Sequence, residues 1–318
     1  MNFVVVEHLS ALEVVKNISE LKKPQMFIHF INIPSGEAIY IEFPDAGEML
    51  IYGGDKKRTE RVGDYLSDLF KEKEGHFVSA LKSFVRWLPA INTVILRYPD
   101  EEVIEGVVEI LDRAEVENLY GPIEQSGSIS PPFTNVPGSL LAFHLYFNPS
   151  PASGQSPEMK KKQLITKYKE LKYKSKIKTP EQIESDVEIE IVNPSKPIKY
   201  YEYNKNYEDS EWIKNNEVIF KLRFDEITFL FLGNINKNIN SKLENKPSSI
   251  LEAGIVEISS SSLEFPSVLE KINPKIIIFE GKDRRVEKMY SGRFELYSLC
   301  GKLKLILVTD GKKVFLKK

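Results

Sequence analysis

The sequence predicts an α/β chain made of two βα-rich halves packed sheet to sheet. Three observations lead there. Short apolar runs with strand character recur along the whole chain, broken by Gly, Pro, Asn and Asp turns. A strand, a helix and a strand follow one another with short links at 91–121, the pattern of a βαβ unit on a buried sheet. The order of strands and helices is also similar before and after residue 150.

Taken in order, residues 3–6 read as a short strand, and 10–22 as a helix with Leu12, Val15, Ile18 and Leu21 on one face, ended by Pro24. Three strands follow at 26–33, 38–43 and 49–52, and Gly53-Gly54 reads as a tight turn. Helices are expected at 56–73 and 76–88. The βαβ unit uses a strand at 91–96, a helix at 101–114 and a strand at 116–121. Residues 121–138 read as loop, 140–147 as a strand and 148–157 as a second loop.

The second half begins with a Lys-rich helix at about 158–173. Strands are expected at 187–192, 217–222, 227–232, 253–258, 275–280, 303–308 and 313–316. Helices are expected at 236–244 and 262–272, and 284–300 reads as irregular.

Composition narrows the function. The 318 residues are 42% hydrophobic and 28% charged, ordinary for a globular chain of this size. Net charge is -2, so nucleic acid or an anionic surface would need a local patch. Cys300 is the single cysteine, which rules out an intrachain disulfide and fits a reducing compartment. It follows Leu299 and reads as buried. No run approaches the ~18 apolar residues of a membrane span, and the N-terminus lacks the basic segment of a signal peptide. A cytoplasmic protein without membrane attachment is expected.

A family resemblance rests on collinear weak matches. FINIPSGEAIYIEFPDAGEMLIYGGDKK, LRYPDEEVIEG, NNEVIFKLRFDEITFLFLGN, VEISSSSLEF, INPKIIIFEG and TDGKKVFL occur in the order of the landmark strands and turns of the metallo-β-lactamase-fold domains of the ComEC DNA-uptake type. The chain resembles that family over about 25–318. The resemblance implies an αββα sandwich, two mixed sheets face to face with helices outside. It makes 25–318 one domain of two halves, 25–150 and 151–318, with 1–24 as an N-terminal extension.

The family binds two Zn, Mn or Fe ions, and the resemblance implies where their ligands would fall. The H-x-H histidines fall on Tyr98 and Asp100, and the Asp-His pair on Glu102 and Val103. The aspartate of L-T-G-D falls on Asn234, the histidines of G-H-H-G-S on Glu257–Ser260, and the D-G-G aspartate on Tyr52. A late histidine falls near Lys288 and Met289. None of these positions is histidine, and valine cannot ligate. The expectation is a degenerate cleft of Tyr52, Tyr98, Asp100, Glu102, Asn234 and Glu257, with no catalytic residue and no cofactor. The implied function is a pseudoenzyme that binds a protein partner, another copy of itself, or a small ligand.

Two alternatives stay open. Asp100-Glu101-Glu102 is either a capped helix start or part of a carboxylate-only Mg or Mn site for phosphodiester hydrolysis. Lys160, Lys161, Lys162, Lys167, Lys169 and Lys172 are either a solvated helix face or a polyanion patch that would bind nucleic acid. The aromatic stretch 200–212 reads equally as a partner surface or a lid. Ser259–Ser262 has no histidine neighbour in sequence for a triad.

Overall fold

The computed structural model describes residues 12–33, 36–44, 47–74, 91–114, 116–121, 123–124, 187–194, 198–199, 206, 209–259, 265–280, 290, 292–302 and 304–317. The chain is α/β with two mixed β-sheets. In the first half the elements are β1 (Glu13–Val15), β2 (Met26–Ile33), β3 (Gly36–Glu42), β4 (Glu48–Tyr52), α1 (Lys56–Glu74), β5 (Ile91–Leu96), α2 (Glu101–Arg113), β6 (Val116–Tyr120) and β7 (Ile123–Glu124). The second half supplies β8 (Val187–Asn193), β9 (Ile198–Lys199), α3 (Ser210–Asn215), β10 (Ile219–Phe224), β11 (Ile227–Gly233), α4 (Lys237–Glu244) and α5 (Ser248–Leu251). It closes with β12 (Ile255–Ser259), α6 (Pro266–Ile272), β13 (Ile276–Glu280), β14 (Glu295–Ser298), β15 (Lys304–Thr309) and β16 (Lys313–Lys317).

The eight-stranded sheet runs β1-β16-β15-β2-β3-β4-β5-β6, and the six-stranded sheet runs β14-β13-β12-β11-β10-β8. Strands β7 and β9 form a separate parallel pair. Period-two alternation decides which face goes where. On β11, Phe229 and Phe231 share a core with the first sheet, whereas Leu230 and Leu232 pack under the helices. On β13, Ile276 and Ile278 take the first side and Ile277 and Phe279 the second. Phe220 of β10 stacks on Phe231, ring centroids 4.6 Å apart. Ile239, Leu243, Leu251, Val268, Leu269 and Ile272 of α4, α5 and α6 cover the far face of the six-stranded sheet. Val62 and Leu66 of α1 and Ile104 and Val107 of α2 bury against the eight-stranded sheet.

Tyr52, at the end of β4, ties that helical layer down. Its hydroxyl donates to the Asp55 carbonyl at 2.8 Å and lies 2.9 Å from Thr59 Oγ1. Gly106 makes this possible. A Cβ there would stand 2.6 Å from the Tyr52 ring and 2.7 Å from the Gly54 carbonyl oxygen, so only glycine lets α2 approach the β4–α1 turn this closely.

Three expectations are corrected. Residues 10–22 hold no α-helix among their described positions. Glu13–Val15 pair in parallel with Lys313–Phe315, and Ile18–Glu20 form one 3₁₀ turn capped by Asn17. The spacing of Leu12, Val15 and Leu21 fitted a helix. β-branched Val14-Val15 instead adds to an available sheet edge, and Ile18, the third residue of the supposed face, is 39% exposed. Within 284–300, β14 adds a parallel strand beside β13. Cys300 is exposed, because the chain turns after buried Leu299.

The strands expected at 3–6 and 140–147, the helices at 76–88 and 158–173, and most of 200–208 lie outside the described residues. No helix among the described residues is long and apolar enough to cross a membrane.

Candidate functional site

The carboxyl ends of parallel strands are where chains of this class leave room for ligands, and β4 and β5 run parallel here. A cavity of about 230 Å³ opens at that end. Gly53 and Asp55 reach it from the β4–α1 turn, and Arg58 from α1. Tyr98 follows β5. Asp100, Glu102 and Val103 come from the start of α2, Ser210, Ile213 and Lys214 from α3, and Asn234 follows β11. Four of the six expected cleft residues, Tyr98, Asp100, Glu102 and Asn234, therefore meet in one cavity although Asn234 is far away in sequence.

Asp100 is the N-cap of α2. Its Oδ1 accepts from the backbone N–H of Glu102 at 2.9 Å and of Val103 at 3.4 Å. These are two of the donors a helix start leaves without an intrahelical partner. Asp55 is likewise engaged, accepting from the Arg58 backbone at 3.1 Å and pairing with the Arg58 guanidinium.

The remaining two expected residues sit elsewhere. Tyr52 is fully buried on the helix side of β4 and does not line the cavity. Its position in the strand alternation turns it towards α1, and burial holds its phenol up at about 12. Glu257 is also buried, at 4%, because β12 turns it to the face between the sheets.

There Glu257 meets Arg97, a residue the sequence reasoning passed over. Arg97 is completely buried immediately after β5. Three carboxylates surround its guanidinium. Nε donates to Glu217 Oε1 at 3.0 Å and lies 3.2 Å from Glu37 Oε2, and Nη2 donates to Glu257 Oε2 at 3.2 Å. Nε has one hydrogen, and it goes to Glu217, so Glu37 is ion-paired without a hydrogen bond. The cluster spans both sheets: Glu37 comes from β3, Glu217 from just before β10, and Glu257 from β12.

Three ionised carboxylates against one guanidinium would bury two net negative charges, which is costly in a dry interior. Two of the carboxyls, Glu217 and Glu257, are shifted towards their protonated forms. Burial pushes Glu217 up to about 7, against the pull of Arg97. Burial and the neighbouring Glu37 charge hold Glu257 well above the usual carboxylate range.

The backbone packs closely against the cluster. Gly233 adopts φ +61°, and a Cβ there would overlap Glu217 Oε1 and Arg97 Nη2. The cluster does not line the cavity, but two residues that do are hydrogen-bonded to it. Asn234 donates its backbone N–H to Glu217 Oε1 at 3.0 Å. The Gly53 N–H donates to the Glu37 carbonyl at 2.8 Å. Burial, then the charges of Glu217 and Glu37, hold the Tyr98 phenol neutral well above its ordinary value.

The sequence did carry a signal for this cluster. Glu37, Arg97 and Glu217 each abut an apolar strand in FINIPSGEAIYI, VILRYP and NNEVIFKL. A charge that continues the inward face of such a strand must find a partner inside. Nothing in one sequence says that the three belong together.

The donor set does not fit the two-metal centre that the family resemblance implies. Asp100 is the helix cap, Val103 is aliphatic, Asn234 offers only a neutral amide, and Glu257 is held by Arg97 behind the cavity. Among the described residues, no group of three or more His, Cys, Asp or Glu side chains is arranged to hold a metal ion. The lysines at 160–172 and the positions near 288 lie outside the described residues. No protein-family model matches this chain, and no curated protein matches it.

Proposed function

We propose that the chain is a non-catalytic αββα sandwich of metallo-β-lactamase-like fold that works by binding a small polar ligand in the cavity between α2 and α3. The observation that carries this reading is Arg97. A permanent internal cation holds Glu217 and Glu257 beneath the cavity, so these carboxylates are engaged in joining the two sheets. Above them, Asp100 serves the backbone of α2. What faces the cavity is a tyrosine, an amide, a serine and paired or rim charges. That set can hydrogen-bond and orient a ligand, but it offers neither a base held against a nucleophile nor a cluster of metal donors.

The test is turnover. The purified full-length chain is assayed on single-stranded DNA and on bis(p-nitrophenyl) phosphate with Mn or Mg added. The expected result is no activity above buffer. Metal-dependent hydrolysis that disappears in Asp100→Ala would overturn the reading.

A further inference from the structure

The charges lining the cavity fall into two groups. Asp55 and Arg58 are paired, and Asp100 caps α2. Glu102 and Lys214 line the same cavity from α2 and α3, yet neither makes an ion pair with another described residue. Two opposite charges, both exposed, therefore stand on the rim of one space without closing on each other. Arg58 stands on the cavity wall too, and its pair with Asp55 uses one terminal nitrogen of the fork. Between these charges Val103 and Ile213 offer aliphatic wall, 7% and 9% exposed. The volume sets the size of the occupant. A cavity of about 230 Å³ equals the liquid volume of roughly seven or eight waters at ~30 Å³ each, so it has room for a ligand of about that many non-hydrogen atoms.

We propose that the cavity binds a small aliphatic α-amino acid as its zwitterion, the carboxylate on Lys214 with Arg58, the ammonium on Glu102, and the side chain against Val103 and Ile213. This rests on the ligand-binding reading above and gives it a chemical class. A ligand with both charges satisfies both uncommitted groups at once. An acid or an amine alone engages only one of these two rim charges.

The experiment is calorimetric titration of the full-length chain with L-valine, N-acetyl-L-valine, L-valinamide, acetate and methylammonium. L-valine is expected to bind at millimolar concentration or tighter. N-acetyl-L-valine, which lacks the ammonium, and L-valinamide, which lacks the carboxylate, are each expected to bind at least tenfold more weakly. Lys214→Ala and Glu102→Gln should each weaken L-valine about tenfold or more, and Lys242→Ala, an exposed charge on α4, should leave it unchanged.

No binding of L-valine overturns the proposal, as does equal binding of valine and its N-acetyl form. Unaltered affinity in both Lys214→Ala and Glu102→Gln does so too. Binding of acetate alone through Lys214 would discard the zwitterion and leave the ligand-binding reading standing. Hydrolytic turnover in the assay above would remove that reading itself.

Discussion

Replacing Arg97 with methionine removes the one cation seen between the sheets among the described residues and keeps most of its volume. The backbone hydrogen bonds at this residue survive the change: its N–H to the Tyr52 carbonyl at 2.9 Å, and its carbonyl to the Val218 N–H at 2.8 Å. The loss is therefore confined to the guanidinium and what it neutralises. The side chains of Glu37, Glu217 and Glu257 are 4%, 0% and 4% exposed, so solvent cannot replace it. Breaking a buried ion pair from one side costs about 3–5 kcal/mol, a third or more of the ~5–15 kcal/mol that holds a typical chain folded.

The carboxyls can relieve part of this by taking up protons, and that gives the loss a pH signature. Arg97 pulls the pKa of Glu217 and Glu257 down. Without it their folded values rise further above the unfolded value near 4.3, so the penalty is largest at high pH and shrinks as pH falls. Urea unfolding followed by tryptophan fluorescence should show a loss of about 3–5 kcal/mol at pH 7.5. At pH 5 the loss should be smaller by at least ~1.4 kcal/mol, the equivalent of one pKa unit. A loss under ~1 kcal/mol, or the same loss at both pH values, would refute the reasoning.

Three further outcomes follow from the same geometry. The wild-type chain should itself lose stability as pH rises. The folded value for Glu217, about 7, lies above the unfolded one near 4.3. Its contribution is therefore complete below about pH 4.3 and lost as pH passes through 7, and Glu217→Gln should flatten that slope in a series of urea midpoints. Gly233→Ala places a Cβ on Glu217 and Arg97 at a positive φ. It should cost about 3 kcal/mol or more from strain and overpacking together, read as the shift of the same midpoint; a shift under ~1 kcal/mol contradicts the packing. Asp100→Ala should cost about 1 kcal/mol through loss of the cap, and Asp100→Ser should recover most of it; no recovery would mean that the carboxylate matters for more than capping.

Much of the strand pattern was legible because alternation and turn residues are local. MFIHFINI, ITFLFL and KIIIFE announce themselves, and the Asp100 cap was readable from YPDEEVIEG, a good N-cap residue followed by apolar residues at helical spacing. The errors have physical causes. Leu12, Val15, Ile18 and Leu21 satisfy helical spacing, yet β16 offered an edge, and pairing with a strand three hundred residues away leaves no trace in the local pattern. Tyr52 and Glu257 were placed in the cleft because order along the chain was used as a guide, and order does not record which face of a strand a side chain takes. A shift of one residue turns a side chain from one face to the other. Arg97 lies inside LRYPDEEVIEG, one of the stretches that carried the resemblance, but no ligand position of the family falls on it. Its role depends on Glu37 of β3, Glu217 just before β10 and Glu257 of β12, and only the folded sheets bring them to it.

The central claim is that a guanidinium, and no metal, is the cation on which this site is built. Calorimetric titration of the full-length chain with Zn and with Mn, after dialysis against a chelator, measures it most directly. The account predicts no stoichiometric binding of either ion and no change in the unfolding midpoint. Binding of one or two ions per chain at micromolar affinity or tighter, weakened in Asp100→Ala, would contradict it.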